Sequence, residues 1–132
     1  MIQPSNRISI ADHLGKNKIN EVVIDFYSRI QRHHSLAAPF SSVHDWVTHE
    51  EKISDFWWVV LGGQPQTSHR YDPVGKHFAA GFNASLLEDW KQLFKEVLLS
   101  HLDEQMAEKW FSRVQIIGDN LLSQNERLSN RN

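Results

Sequence analysis

The stretch WVTHEEKISDFWWVVL, residues 46–61, decides the fold. Its apolar residues recur at steps of three and four, which places them on one face of a helix. They are Trp46, Ile53, Phe56, Trp57, Val60 and Leu61. A strand is excluded because the charged run at residues 50–52 leaves no alternation of period two. His49, three residues after Trp46 and four before Ile53, falls on the apolar face of the predicted helix.

Three further segments show the same helical period. Residues 17–34 form the first, with Ile19, Val22, Val23, Phe26, Tyr27 and Ile30 on one face. A second helix is expected over residues 86–101, opened by a capping box of Ser85 and Glu88. Its apolar face holds Leu86, Trp90, Leu93, Phe94 and Val97. A third is expected over about residues 103–124, with Met106, Trp110, Val114, Ile117 and Leu121 buried. No strand pattern competes, so the sequence predicts an all-α protein with four substantial helices.

Capping and breaking residues give the boundaries of these helices. The helix of the opening stretch is expected to be capped by Ser42 or Asp45 and to stop at Gly62-Gly63. A polar loop, QPQTSHRYDP, follows it. Pro73 ends this loop and is suited to open a short helix over VGKHFAAGF.

Composition limits the class of protein. The 132 residues suit one domain, with polar termini, about 1–10 and 123–132, that are expected to be frayed. Hydrophobic residues are 40% and charged residues 23%, an ordinary soluble balance. A net charge of -2 gives no basic footprint for nucleic acid or for a membrane surface. The absence of cysteine excludes disulfides, thiolate catalysis and cysteine-ligated metal sites.

The N-terminal stretch MIQPSNRISIADHLGK has no apolar run of signal-peptide length. No segment approaches the roughly 20 apolar residues that a membrane span needs. We therefore expect a soluble, cytoplasmic protein.

Two of the eight histidines stand apart. His33 and His34 are adjacent, so on a helix they are expected to diverge at the surface. Four others lie in polar or boundary settings and are expected to be solvated: His13, His44, His69 and His101. His49 and His77, in contrast, lie among apolar residues on different predicted helices. Each is either a core histidine with a hydrogen-bonded tip or one of a pair facing a flat apolar cavity. In the second case a neutral imidazole would suit haem iron.

Aromatic residues lie on or beside the predicted inner faces. They are Phe26, Tyr27, Phe40, Phe56, Trp57, Trp90 and Phe94. Core packing alone accounts for Phe56 and Phe94. It accounts less well for Tyr27, Trp57 and Trp90, because their O–H and N–H groups need partners when buried.

These residues resemble the group III truncated haemoglobins over about residues 17 to 122. Four motifs carry the resemblance: FYSRI (26–30) leading to LAAPF (36–40), W-x-x-H…FW (Trp46, His49, Phe56, Trp57), Y-x-P-x-x-x-H (Tyr71, Pro73, His77) and W-x-x-L-F (Trp90, Leu93, Phe94). No single motif is specific for this family, but the four motifs together, in the family's order, are. The chain departs from the family at His33-His34, where members often have Asp-Pro.

The resemblance implies a two-over-two helical sandwich, residues 1–132 forming one globin domain around haem b. It makes His77 the proximal iron ligand, and it builds the distal ligand pocket from Tyr27, His49, Ile53 and Trp90. Phe40 would wedge the haem, and Lys52 and Lys76 would lie near the propionates. The remaining haem contacts would be Phe26, Phe56, Trp57 and Phe94.

Three functions are open from the sequence. The first is a haem protein that binds oxygen and other diatomic gases, carbon monoxide and nitric oxide, in oxygen binding or transport. The second is a haem enzyme, a nitric oxide dioxygenase or a peroxidase-like protein served by a reductase. The third is a haem-free helical sensor or interaction domain in which both histidines are core residues. The expected state is a monomer or a weak homodimer.

Overall fold

Five helices make up the fold in the computed structural model, which describes residues 8–38, 45–64 and 83–130, with side chains as far as residue 120. They are α1 (Ile10–Leu14), α2 (Lys16–Ile30), α3 (Trp46–Val60), α4 (Ala84–His101) and α5 (Glu104–Asn130). These ranges contain no strand, and the all-α prediction is confirmed. None of the helices described is long and apolar enough to cross a membrane.

The long helices pack in two pairs. α2 lies against α3, α4 lies against α5, and α2 also packs on α4. This is the expected two-over-two sandwich. All six residues predicted for the inner face of α2 are buried, as are four of the five predicted on α4, and Leu86 is half-buried. On α5, Trp110 and Val114 are buried, whereas Met106 and Ile117 are half-buried.

The short helix α1, which the sequence did not predict, ties the start of the chain to the end of α3. Ser9 caps α1 by accepting a hydrogen bond from the Asp12 amide at 3.0 Å. The Ala11 amide donates to the Leu61 carbonyl at 3.0 Å, and Ala11 is fully buried. Gly62, at φ +100°, lies so close to Ser9 that an added Cβ would come within 2.7 Å of the Ser9 Cβ. Glycine is therefore required at this turn by both its backbone and its neighbour.

The boundaries of α3 confirm the prediction. Asp45 is its N-cap, with Oδ1 accepting from the Thr48 amide at 3.1 Å and Oδ2 from the Thr48 hydroxyl at 2.7 Å. These hydrogen bonds lower the pKa of Asp45. The helix ends at Val60, before the glycine pair. Ser42, the alternative cap, lies outside the described residues, as does the short helix expected after Pro73.

The capping box predicted for α4 is wrong. The helix begins at Ala84, and its N-cap is Asn83, which is extended at φ -135° and ψ -179°. The Asn83 Oδ1 accepts from the Leu86 amide at 2.9 Å. Ser85, the expected cap, is exposed inside the first turn. Asparagine and serine are both strong N-cap residues, so the motif alone did not show which one starts the helix.

Two further boundaries differ from the prediction. α2 ends at Ile30, before residue 34, so His33 and His34 lie in a turn and their rings stack at 4.4 Å instead of diverging. α5 runs to Asn130 rather than to about residue 124, since no glycine or proline follows Gly118 within it to stop it.

A charged cluster joins α2 to the end of α4. The Asp25 Oδ1 accepts from the Arg29 Nε and its Oδ2 from the Arg29 Nη2, both at 3.1 Å, and the His101 Nε2 lies 2.8 Å from the Oδ2. His101 is half-buried in this cluster, which corrects the expectation that it is solvated. Burial raises the pKa of Asp25, but the hydrogen bonds and charges of His101 and Arg29 outweigh it, so the net shift is downward.

The corrected cap predicts different costs for two similar substitutions. Asn83→Ala should lower the free energy of unfolding by about 1 kcal/mol, because it removes the side-chain acceptor of the first turn. Ser85→Ala, the matched control, should change it by less than about 0.5 kcal/mol, as is usual for an exposed residue. Urea denaturation followed by circular dichroism measures both, and a larger loss for Ser85→Ala would restore the capping box.

The charged cluster predicts an acid-sensitive contribution to stability. The pKa of Asp25 in the folded chain is lower than its ordinary 3.8, so the unfolded state binds a proton first as the pH falls. The stabilisation from Asp25 is complete above the ordinary pKa of its carboxyl. It is lost as the pH falls through the lower pKa of Asp25 in the folded chain. Asp25→Asn should therefore show a shallower fall in unfolding free energy between about pH 5 and pH 2. Glu96→Gln, exposed on α4, is the control and should keep the wild-type slope.

Candidate functional site

Phe94 lies at the centre of an aromatic cluster to which all four long helices contribute. Its ring centroid is 4.4 Å from Phe26 on α2, 5.3 Å from Trp57 on α3 and 5.9 Å from Trp110 on α5. Trp90, one turn earlier on α4, is 5.6 Å away. Most of these pairs meet edge to face, the arrangement that ring quadrupoles favour. The cluster is thus a rigid support that orients the side chains packed beside it.

Three rings form a second group between α2 and α3. The Tyr27 and His49 rings meet edge to face at 5.1 Å and 88°. Trp46 lies 5.6 Å from each of them. Tyr27 is 2% exposed, and the Nε2 atom of His49 is buried although its residue is half-buried. His49 therefore points its imidazole inward, as the helical period predicted.

Phe26 joins this group to Trp90. The Phe26 ring centroid is 5.1 Å from that of Tyr27 and 6.2 Å from that of Trp90. Trp90 is 3% exposed, and its Nε1 atom is buried. The Tyr27 hydroxyl, the His49 imidazole and the Trp90 indole N–H thus belong to one continuous aromatic surface, which we call the distal wall (Phe26, Tyr27, Trp46, His49, Trp90).

The other predicted site residues fall into three groups. Ile53 and Trp57 are buried on the inner face of α3, and Phe56 is half-buried with its ring 5.3 Å from Trp57. Lys52 is exposed on α3. The third group, Phe40, Lys76 and His77, lies outside the described residues.

Two contributors were missed by the sequence reasoning. Trp46 was placed on the apolar face of its helix and in a motif but was not predicted as a site residue, yet its ring contacts both Tyr27 and His49. Its spacing of three residues before His49 was the available signal. Trp110 was assigned to the helix core, but its indole meets both Trp57 and Phe94. No sequence pattern signals these contacts, because they depend on how α5 crosses the other helices.

A groove of about 520 Å³ lies on the outer side of α2 and α3. Its lining is mixed, with polar residues such as Asn20 and Glu50 beside the exposed Ile24 and Val47. Lys16 Nζ and Asp55 Oδ1 form an ion pair of 2.6 Å across it. Burial raises the pKa of the Glu50 carboxyl. The groove shares no residue with the distal wall, so the two faces of α3 have different characters.

The comparisons with known proteins agree with this geometry. The model of the bacterial-like globin family matches residues 9–122. The chain belongs to the bacterial-like globin family. A curated relative, the group 3 truncated hemoglobin of Campylobacter jejuni, is 26% identical over 110 residues, which cover 79% of this chain and 85% of the relative. The crystal structure of a group III truncated hemoglobin from the same organism matches with a TM-score of 0.74 at 24% identity, covering 83% of this chain and 90% of that one.

The resemblance expected from the sequence motifs is therefore confirmed. Membership of this globin family suggests a haem-binding protein of gaseous ligands. The residues of the distal wall fit such a group, since flat aromatic surfaces suit a planar macrocycle and the buried donor atoms suit a small polar ligand.

The central position of Phe94 predicts a large effect on stability. Phe94→Ala should lower the free energy of unfolding by about 3–5 kcal/mol, because it leaves a cavity among four aromatic rings. Phe111→Ala, the matched control, removes a half-buried ring whose contact is with the Lys95 ammonium at 5.6 Å. Phe111→Ala should therefore lower the free energy of unfolding by clearly less than Phe94→Ala does. Equal losses in urea denaturation would show that Phe94 is not the centre of the core.

Proposed function

We propose that this globin holds haem b and binds oxygen and other diatomic ligands at the iron, with the distal wall giving slow ligand release. The observation that carries the proposal is that the rings of Tyr27, His49 and Trp90 belong to one continuous set of aromatic contacts, in which the His49 Nε2 and the Trp90 Nε1 are buried. When bound, haem supplies an iron that coordinates diatomic gases. The protein supplies the environment of the ligand, which decides how long it stays.

The polar groups of the distal wall act as hydrogen-bond donors to the ligand. The Tyr27 hydroxyl and the Trp90 indole are donors in all their neutral forms, and His49 donates when Nε2 carries its proton. Each net hydrogen bond in such a site is worth about 1 kcal/mol. Because the Phe26 ring packs on both Tyr27 and Trp90, it restricts the movement of both side chains.

His77 is our candidate for the proximal iron ligand, on the strength of the Tyr71, Pro73 and His77 motif. Phe40 would contact the haem, and Lys52 and Lys76 would face its propionates. The exposed position of Lys52 leaves its ammonium available for that contact. The same polar distal wall would also suit oxidation of nitric oxide or peroxide chemistry, since distal donors assist O–O cleavage.

Haemin titration followed by absorption spectroscopy tests cofactor binding. The protein should bind one haemin with a sharp Soret band, and reduction under carbon monoxide should shift that band. His77→Ala should weaken binding or change the spectrum, because it removes the proposed iron ligand. His34→Ala, exposed in the turn after α2, is the control and should behave as wild type. No saturable binding, or a spectrum indifferent to His77, would return both inner histidines to the core.

Ligand release tests the distal wall. Tyr27→Phe and Trp90→Phe should each speed oxygen dissociation by about five- to tenfold, the value of one hydrogen bond. Trp58→Phe is the matched control, because the Trp58 indole donates to the Gln64 carbonyl at 2.7 Å rather than to the wall. Stopped-flow displacement by carbon monoxide measures the rates. Unchanged rates in both distal variants would refute slow release through these donors. Turnover with a reductase and nitric oxide would favour the enzymatic function.

A further inference from the structure

The groove on the outer side of α2 and α3 contains an acidic group that the fold leaves unpaired. Glu50 is half-buried on α3, and burial raises the pKa of its carboxyl. Within the described residues, no cation and no hydrogen-bond donor offsets this effect. A carboxylate that is partly removed from water is unfavourable unless a partner compensates it. The groove therefore holds a negative charge that the described part of the chain does not pair.

The Ser54 hydroxyl is a second polar group of the groove without a partner. Ser54 lines the groove and is only 3% exposed. A serine in a helix can donate to a carbonyl of the preceding turn, as Ser100 and Ser112 do at 2.8 Å. Ser54 forms no hydrogen bond within residues 8–38, 45–64 and 83–120, so its hydroxyl faces the groove instead of its own helix. A buried hydroxyl without a partner costs free energy, which favours a ligand that supplies one.

Asn20 and two apolar side chains complete the groove. Asn20, on α2, is half-buried, and its amide also forms no hydrogen bond within the described residues. Ile24, one turn further along α2, is 51% exposed, and Val47, one turn before Glu50, is 67% exposed. Single exposed apolar residues are ordinary. Here two of them, from different helices, line the same groove as the unpaired polar groups.

The charge of the groove selects a cation. Lys16 and Asp55 already neutralise each other at 2.6 Å, so Glu50 and Glu51 leave the lining negative. Among the residues that the structure describes, no group of three histidines or carboxylates could hold a metal ion. An organic ammonium fits better, because its three N–H donors match a carboxylate, a hydroxyl and an amide oxygen. The groove, about 520 Å³, is also within the size range of small-molecule sites, roughly 300–1,000 Å³.

We propose that this groove binds a small primary aliphatic amine in its ammonium form. The ammonium donates to the Glu50 carboxylate, the Ser54 hydroxyl and the Asn20 amide oxygen. The alkyl chain contacts Ile24 and Val47. This site shares no residue with the distal wall, and the proposal does not depend on haem binding.

Titration of the full chain with n-butylammonium, followed in ¹H–¹⁵N spectra near neutral pH, tests the site. The carbon monoxide form keeps the iron occupied, so that the amine does not coordinate it. A protein that takes up no haem is used as purified. The amide signals of Asn20, Glu50 and Ser54 should shift and saturate. n-Butanol and butyrate, which keep the chain and lack the positive charge, should give no saturating shift. Saturation by n-butanol, or no saturation by the amine, would overturn the proposal.

Two substitutions test the polar contacts. Glu50→Gln should weaken amine binding at least about tenfold, because it keeps the shape and removes a charge-assisted hydrogen bond. Ser54→Ala should weaken it by about two- to tenfold. Glu96→Gln, exposed on α4, removes one negative charge outside the groove and should bind as wild type. Equal weakening by Glu50→Gln and Glu96→Gln would show that the amine responds only to net charge, and would overturn the site.

Urea denaturation without amine distinguishes a binding role from a structural one. Because the Ser54 hydroxyl is unpaired in the fold, Ser54→Ala should not lower the free energy of unfolding. A clear loss would show that the hydroxyl stabilises the fold, and would overturn its assignment to a ligand.

The ionisation of Glu50 gives an independent readout. Saturating n-butylammonium should lower the pKa of the Glu50 carboxyl, measured in ¹³C spectra, because a bound cation favours the charged form. n-Butanol at the same concentration should leave this pKa unchanged. A Glu50 pKa that does not respond to the amine would also overturn the proposal.

Discussion

The packing of the Phe94 ring is the constraint on which the structure depends. This one side chain meets an aromatic ring from each of the other three long helices, at 4.4 to 5.9 Å. Such contacts are directional, so each helix is held in rotation as well as in distance. The rotation of α2 aims Tyr27 toward α3, and the rotation of α3 aims His49 toward Tyr27. The arrangement of the distal wall is therefore a consequence of the core and needs no separate scaffold.

The inner faces of the helices were predictable because burial imposes a period that the sequence must carry. Every residue expected on the inner face of α2 is buried, and the odd imidazole of α3 does turn inward. Helix ends were less predictable, as Asn83 and Ser85 illustrate. Both side chains can accept the same kind of hydrogen bond, and only the backbone angles of Asn83 decide between them.

Contacts between elements distant in sequence were the least predictable part. The pairing of Asp25 with His101, 76 residues apart, leaves no local pattern. The same holds for Gly118, which faces Leu87, Trp90 and Lys91 of α4. The candidate site was predicted through motifs for Tyr27, His49 and Trp90. The ring contacts of Trp46 needed coordinates.

The link between α1 and the end of α3 couples residues far from the candidate site to the helix that carries His49. The hydrogen bond from Ala11 to Leu61, and the Ser9 side chain packed against Gly62, join the first turn of the fold to the last turn of the helix that carries His49. The two ends of α3 are thus held differently. Its N-terminal end is capped by the adjacent Asp45, and its C-terminal end is held by residues of another element, α1. Loss of the first dozen residues would free the C-terminal end of α3. The effect of this loss would reach His49 through the helix itself and not through a direct contact.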